Sequence, residues 1–222
     1  SHINKNEIEK FLSNLNYPLH YLDFETINPG VPKYQGLRPY QQVLFQYSLH
    51  INQTEESELV HKEYLADPKK DPRVELIEQL IIDCGHSGDI LVYNIGFERG
   101  VLNELIDQFP KYNDPLQAII DRLKDLMIPF QNKWYYTPEM RGSYSIKSVL
   151  PALIPELSYN DLNINDGGTA SSTFQSMMNG IEEVFNREVF PYYMGDKAQQ
   201  YKLEHGNYWV NINYQNSYNN AH

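Results

Sequence analysis

The stretch from Gln41 to Ile51 constrains this chain more than any other. Val43, Phe45, Tyr47, Leu49 and Ile51 fall on one face, and Gln42, Leu44, Gln46, Ser48 and His50 on the other. Side chains alternate across a strand, so this spacing predicts a half-buried strand with one face on a core. Residues 52–58 are polar and read as a turn, and residues 59–65 as the return strand of an antiparallel hairpin. Two further strands are predicted. Residues 19–24 form a short one upstream, and Asp89 to Tyr93 carries the apolar run Ile90-Leu91-Val92 expected of a central strand.

Helical spacing fills the intervals. Ile8, Phe11, Leu12 and Leu15 predict an amphipathic helix over 5–16, ended by Tyr17-Pro18. Asp71 is a candidate N-cap, with Pro72 at the first helical position. Val74, Leu76, Ile77, Leu80 and Ile81 supply that helix's apolar stripe, and Gly85 to Gly88 breaks it. Residues 97–108 return to helical period through Leu102, Leu105 and Ile106. Residues 115–128 read as helix and then extended chain, and 170–190 as helix. Asn28 to Pro39 is a Pro/Gly-rich loop, and 129–170 is rich in Pro, Gly and Asn apart from the apolar piece Ile146 to Leu153. No internal repeat or domain boundary is evident. The expectation is an α/β fold with a mixed sheet, one domain over 1–206 and an Asn/Tyr-rich tail over 207–222.

Composition removes several classes. A chain of 222 residues, 41% of them hydrophobic and 21% charged, supports a buried core. No stretch approaches the roughly 18–20 apolar residues of a membrane span. Ser1 to Lys10 is polar, with no apolar signal core. The single cysteine, Cys84, excludes an intrachain disulfide framework and reads as a small buried hydrophobe beside Ile81 and Ile82. A reducing cytoplasm is expected. The net charge of −11 argues against a broad basic surface that grips nucleic acid, but carboxylates loaded with divalent cations invert their own local field.

Three clusters carry candidate chemistry. In Tyr21-Leu22-Asp23-Phe24-Glu25-Thr26, Asp23 and Glu25 lie two apart on a strand and project from one face. Paired carboxylates repel unless something positive neutralises them, and hard cations such as Mg²⁺ favour carboxylate oxygen. The plainer reading is two solvated acids on an exposed strand edge. In Tyr93-Asn94-Ile95-Gly96-Phe97-Glu98, a strand meets a helix, and Glu98 falls in the first helical turn. There it either reaches back over the sheet end or simply complements the helix dipole. In Tyr192-Tyr193-Met194-Gly195-Asp196, Tyr192 and Asp196 share a helical face.

Together these motifs resemble those of the DnaQ-like (DEDD, tyrosine subtype) 3′–5′ exonucleases of the ribonuclease H-like fold. Asp23 and Glu25 match the first motif, Asp-x-Glu. Asn94 to Glu98 matches the second, Asn-x-x-Phe-Asp, with Glu in place of Asp, and Tyr192 to Asp196 matches the third, Tyr-x-x-x-Asp. A closer resemblance is to an uncharacterised bacterial family of this fold, often attached to RecB-like nuclease domains. It is carried by Arg38-Pro-Tyr-Gln-Gln, Phe45-Gln-Tyr-Ser-Leu-His, Tyr93 to Glu98, Gly142 to Pro151 and Asp166-Gly-Gly-Thr-Ala-Ser.

The resemblance implies a ribonuclease H-like, mixed five-stranded sheet with an antiparallel hairpin beside the first strand, the fourth strand on the other side, and helices on both faces. It implies phosphodiester hydrolysis at single-stranded DNA or RNA ends with two Mg²⁺ or Mn²⁺ ions. Asp23 would bridge the ions, Glu25 and Asp196 would hold the nucleophile-side ion, Glu98 would serve the leaving-group side through water, and Tyr192 would orient the attacking water. Phe24, Thr26, Tyr40, Gln41, Asn94 and Lys147 are the candidate substrate contacts, each with a plainer reading as core, loop or solvated surface. Asp125 reads as a capping or loop residue rather than a ligand. The alternative function is a catalytically weakened domain of the same fold that binds nucleic acid or a protein partner.

Overall fold

A computed structural model of the chain describes residues 1–155 and 167–178. In chain order its elements are β1 (His2–Ile3), α1 (Lys5–Ser13), β2 (Leu19–Ile27), β3 (Val43–Asn52), β4 (Val60–Leu65), α2 (Arg73–Cys84), β5 (Ile90–Val92), α3 (Ile95–Gln108), α4 (Asn113–Asp121), β6 (Leu123–Asp125), α5 (Ile128–Gln131), β7 (Tyr135–Tyr136), α6 (Ile146–Leu153) and α7 (Gly167–Met178). Five strands form one mixed sheet in the order β4-β3-β2-β5-β6, and β1 pairs antiparallel with β7 in a second, two-stranded sheet. β2, β5 and β6 run parallel. The hairpin runs antiparallel: Tyr47 stacks on Tyr64 and His50 on His61, so three steps forward along β3 are three steps back along β4.

The expected strand alternation is present. Val43, Phe45, Tyr47, Leu49 and Ile51 are all buried, and Gln46, Ser48 and His50 are only partly so; Leu44 of the opposite face is buried as well. All three residues of β5 are buried, as a central strand requires. β2 is longer than expected and reaches Ile27, so Asp23 and Glu25 lie inside the strand rather than at its tip. The apolar piece after Ser145 is helical. Among the described residues no helix is long and apolar enough to cross a membrane.

The described chain divides into two compact units. One comprises Ser1–Asp23, Leu49–Lys62 and residues 81–155. In it α3 buries Val101, Leu102 and Leu105, and α4 buries Leu116, Ile119 and Ile120, each set at helical spacing. Gly88 has φ 79°, and a Cβ there would collide with the Pro18 carbonyl, so only glycine fits. Cys84 is fully buried, and burial pushes its thiol up to about 12, as an inert core cysteine requires.

Arg122 closes this unit. Its guanidinium donates to the carbonyls of Cys84 (3.1 Å), Gly85 (2.9 Å), Ser87 (2.6 Å) and Gly88 (3.4 Å), and through Nε to Ala118 (3.3 Å). It thereby satisfies carbonyls at the end of α2 that have no helical partner. Arg122→Ala is expected to lower stability by about 2–4 kcal/mol in urea unfolding, because charged donors and several acceptors are lost together. Arg122→Lys should restore only part, since an ammonium cannot span the fork. A loss for the alanine variant below about 0.5 kcal/mol, the range of neutral surface changes, would contradict this role.

The second unit comprises Phe24–Ser48, Glu63–Leu80 and, among the described residues, α7. Ile27, Val43, Phe45, Ala66 and Phe174 form its core, with the Phe45 and Phe174 rings stacked 4.2 Å apart. α2 begins at Arg73, one residue later than expected, and Asp71 accepts from the Arg73 backbone N–H at 3.2 Å, while its carboxylate also grips the buried Arg73 side chain at 2.7 and 2.9 Å. Of the predicted stripe on α2, Leu76, Ile77 and Leu80 are fully buried, whereas Val74 in the first turn is 37% exposed.

Candidate functional site

Strand register brings the chemistry-bearing residues to one sheet end. His20 lies opposite Ile90 and Tyr21 opposite Leu91, while Val92 lies opposite Asp125. Continuing the register sets Leu22 level with Val92, and Asp23 one step past the end of β5. The C-terminal ends of parallel strands are where α/β sheets place their sites. Asp23 is exposed between the buried Leu22 and Phe24, as strand alternation dictates.

β5 passes into α3 through Asn94, which adopts a left-handed conformation with φ 80°. Asn94 makes no side-chain cap. The buried Asp125 carboxylate does that work from β6. One oxygen accepts from the N–H groups of Asn94 (3.0 Å) and Met127 (2.9 Å), and the other from that of Ile95 (3.1 Å). The first amides of a helix have no intrahelical partner, and a carboxylate suits both their geometry and their positive end. The capping reading of Asp125 therefore holds.

Glu98 follows one turn later. It is 2% exposed, and its Oε2 has no hydrogen-bond partner. Burial pushes its carboxyl up to about 8; a bond from its own backbone N–H pulls the other way, and the negative charges of Asp23 and Asp125 push further upward. A carboxylic acid held neutral at pH 7 contributes little to the helix dipole, so the reading of Glu98 as a simple dipole complement is corrected here. Sequence reasoning placed Glu98 correctly in the first turn, but burial depends on what packs over it.

Carboxylate oxygen is the donor type hard cations favour, and Glu98 carries a buried oxygen left unsatisfied, with the charges of Asp23 and Asp125 bearing on it. Among the described residues, however, no group of three or more His, Cys, Asp or Glu side chains is close enough to hold a metal ion on its own. Tyr192 and Asp196, the third predicted motif, lie outside the described residues.

The other predicted contacts divide between the units. Asn94 and the exposed Lys147 belong with Asp23 and Glu98. Glu25, Phe24, Thr26, Tyr40 and Gln41 belong to the second unit. Glu25 is half-buried on β2. Phe24 is 3% exposed, so its ring is a core group and only its backbone remains for a ligand. The Thr26 carbonyl accepts from the Ser171 hydroxyl. Tyr40 is 73% exposed with φ 60°, and the Gln41 side chain accepts from the Arg38 N–H at 2.9 Å, which closes its loop. Sequence reasoning missed Tyr93, whose hydroxyl donates to the Tyr144 carbonyl at 2.6 Å; one Tyr among 18 gives no signal of this role.

Comparisons with known proteins add no chemistry to this geometry. The curated relatives include Uncharacterized protein MG366 homolog of Mycoplasma pneumoniae, 29% identical over 182 residues that make up 73% of this chain and 27% of the relative. Uncharacterized protein UU173 of Ureaplasma parvum is 27% identical over 168 residues, 66% of this chain and 24% of its own. Uncharacterized protein MG366 of Mycoplasma genitalium is 26% identical over 168 residues, 68% of this chain and 25% of its own. The chain thus spans about a quarter of the length of these relatives. No solved structure matches it significantly. The family described as Domain of unknown function (DUF2779) matches residues 20–145, which hold Asp23, Glu98, Asp125 and Tyr144, and the chain belongs to that family.

Proposed function

We propose that the chain is a ribonuclease H-like domain that hydrolyses phosphodiester bonds of nucleic acid, acting from the 3′ end of single strands with divalent ions. The observation that carries this reading is Glu98, a buried carboxyl with an unpartnered oxygen, driven up to about 8 beside Asp23 and Asp125. Perturbed acids at the ends of parallel strands mark functional sites. The strand order β4-β3-β2-β5-β6, a hairpin flanking the first long strand with parallel strands on its other side, supports the ribonuclease H-like assignment.

In this reading, which the resemblance supplies, Asp23, Glu25, Glu98 and Asp196 would hold Mg²⁺ or Mn²⁺. When bound, the ions supply the charge that activates water and stabilises the departing 3′ oxygen. Asp125 fixes the helix start from which Glu98 projects. Tyr192 would position the attacking water, since a phenol near 10 is a poor base at pH 7. Glu98 is one methylene longer than the Asp of the resembled motif, about 1 Å, a shift that waters around Mg²⁺ could absorb or that would favour Mn²⁺. In a longer protein the domain would work alongside a RecB-like nuclease domain.

The second reading, a weakened nuclease fold that binds nucleic acid or a partner, draws on the same Glu98 and on the lack of a three-ligand cluster among the described residues. A 3′-labelled oligonucleotide with Mg²⁺ or Mn²⁺ separates the two. The wild type should release label from the 3′ end, and Asp23→Ala should not. Equal behaviour of the two proteins would remove the enzyme. Mn²⁺ should also raise the melting temperature of the wild type by mass action, but not that of Asp23→Ala.

A further inference from the structure

Residues 141–147 form a fixed projection in the same unit as Glu98. Arg141 (φ 51°) and Gly142 (φ 78°) turn the chain through left-handed conformations. The Ser143 N–H donates to the Met140 carbonyl at 2.9 Å, the Ser145 N–H to the Ser143 hydroxyl at 3.1 Å, and the Val149 N–H to the Ser145 carbonyl at 2.9 Å. Met140 and Val149, each 1% exposed, anchor the two sides. The projection is tied to the candidate site through Tyr93, which bonds to the Tyr144 carbonyl and immediately precedes Asn94.

On this rigid support Tyr144 is 44% exposed. Arg141 and Lys147 stand three residues before and after it in the sequence, both exposed, and neither forms an ion pair among the described residues. Between Glu139 and Glu156 the sequence has these two cations and no acid, in a chain of net charge −11. Two exposed cations that form no ion pair among the described residues can hold an anion. An exposed aromatic ring with a cation three residues to either side along the chain suits an anion that also carries flat rings, because bases stack on aromatic faces while phosphates take the charge.

We propose that Tyr144, with Arg141 and Lys147, is a stacking and phosphate-contacting surface for unpaired nucleotides that leads a strand toward Asp23 and Glu98. The inference rests on the nuclease reading for its direction, but its binding test does not.

Binding of fluorescein-labelled oligothymidylate, followed by anisotropy in EDTA, isolates the surface from any metal-dependent step. Tyr144→Ala should bind about tenfold more weakly and Tyr144→Phe like the wild type, because stacking needs the ring and not the hydroxyl. An abasic strand of the same length should bind the wild type about as weakly as the normal strand binds Tyr144→Ala. Arg141→Gln with Lys147→Gln should reduce the salt dependence by a slope of about 1.4, the share of two phosphates on a single strand. Equal affinity of Tyr144→Ala and wild type, or equal affinity for abasic and normal strands, overturns the proposal; the second result would assign the patch to polyanions generally, acidic peptides included. Binding that depends on Tyr144 without Mn²⁺-dependent cleavage would sink the nuclease reading and leave this surface standing. Cleavage without Tyr144 dependence would do the reverse.

Discussion

Glu98→Gln is expected to make the metal-free protein more stable at pH 8, on the order of 3–5 kcal/mol, and to leave it nearly unchanged at pH 4.5. The sign follows from the direction of the shift. Burial, and then the charges of Asp23 and Asp125, hold the Glu98 carboxyl up to about 8 in the folded chain, against 4.5 when unfolded. Between those values the folded state binds the extra proton, so wild-type stability falls as pH rises and the penalty is complete above about 8. Gln keeps the shape and cannot ionise, which removes that slope.

The histidines work in the opposite sense. Burial, with His61 beside it, lowers His50 to about 4, and His20 and His61 are also lowered, so their contribution is lost as pH falls below 6.5. The difference between wild type and Glu98→Gln is therefore the quantity to measure, by thermal melts in EDTA from pH 4.5 to 8.5. Parallel curves would refute the raised carboxyl. Millimolar Mn²⁺ should invert the ranking at pH 8, because a cation favours the charged wild-type carboxylate and gains nothing from Gln.

Asp125→Ala should be the most damaging single change near the site. Three backbone N–H groups, of Asn94, Ile95 and Met127, lose their shared acceptor together. Hydrogen bonds to a charged group are worth about 1.5–3 kcal/mol each, and their shared acceptor makes the sum less than additive. A total of about 3–5 kcal/mol is expected, or roughly 10 °C in melting temperature for a domain of this size. Asp125→Asn should fall between, since one of its terminal atoms still accepts and the other presents a donor to amide donors. Urea midpoints of the two variants give the comparison. An alanine variant as stable as the asparagine variant would mean that water replaces the carboxylate and that β6 does not set the start of α3.

These two residues mark where reading the sequence stopped. Asp125 was legible only as a capping or loop residue, and it stands at the end of β6. Its partners were not legible, since the amides it holds lie about thirty residues earlier, across a strand pair. Glu98 was legible as a first-turn acid from the Asn94 to Glu98 spacing, but a sequence carries no dielectric. Nothing in the local spacing distinguishes a solvated carboxylate from one at 2% exposure. Phe24 shows the limit from the other side: alternation with Asp23 and Glu25 already required it to point inward, and it does.

Local periodicity is a property of neighbouring residues, and so the sequence by itself determined the alternating face of β3, the apolar β5, the capped start of α2 and the pairing of acids along β2. Only the tertiary structure decided that Asp23 and Asp125, about a hundred residues apart, both bear on the buried Glu98, and that Tyr144 stands exposed. Burial and Coulomb interactions act through distance in space, and the register of β2, β5 and β6 is what converts distance along the chain into that proximity.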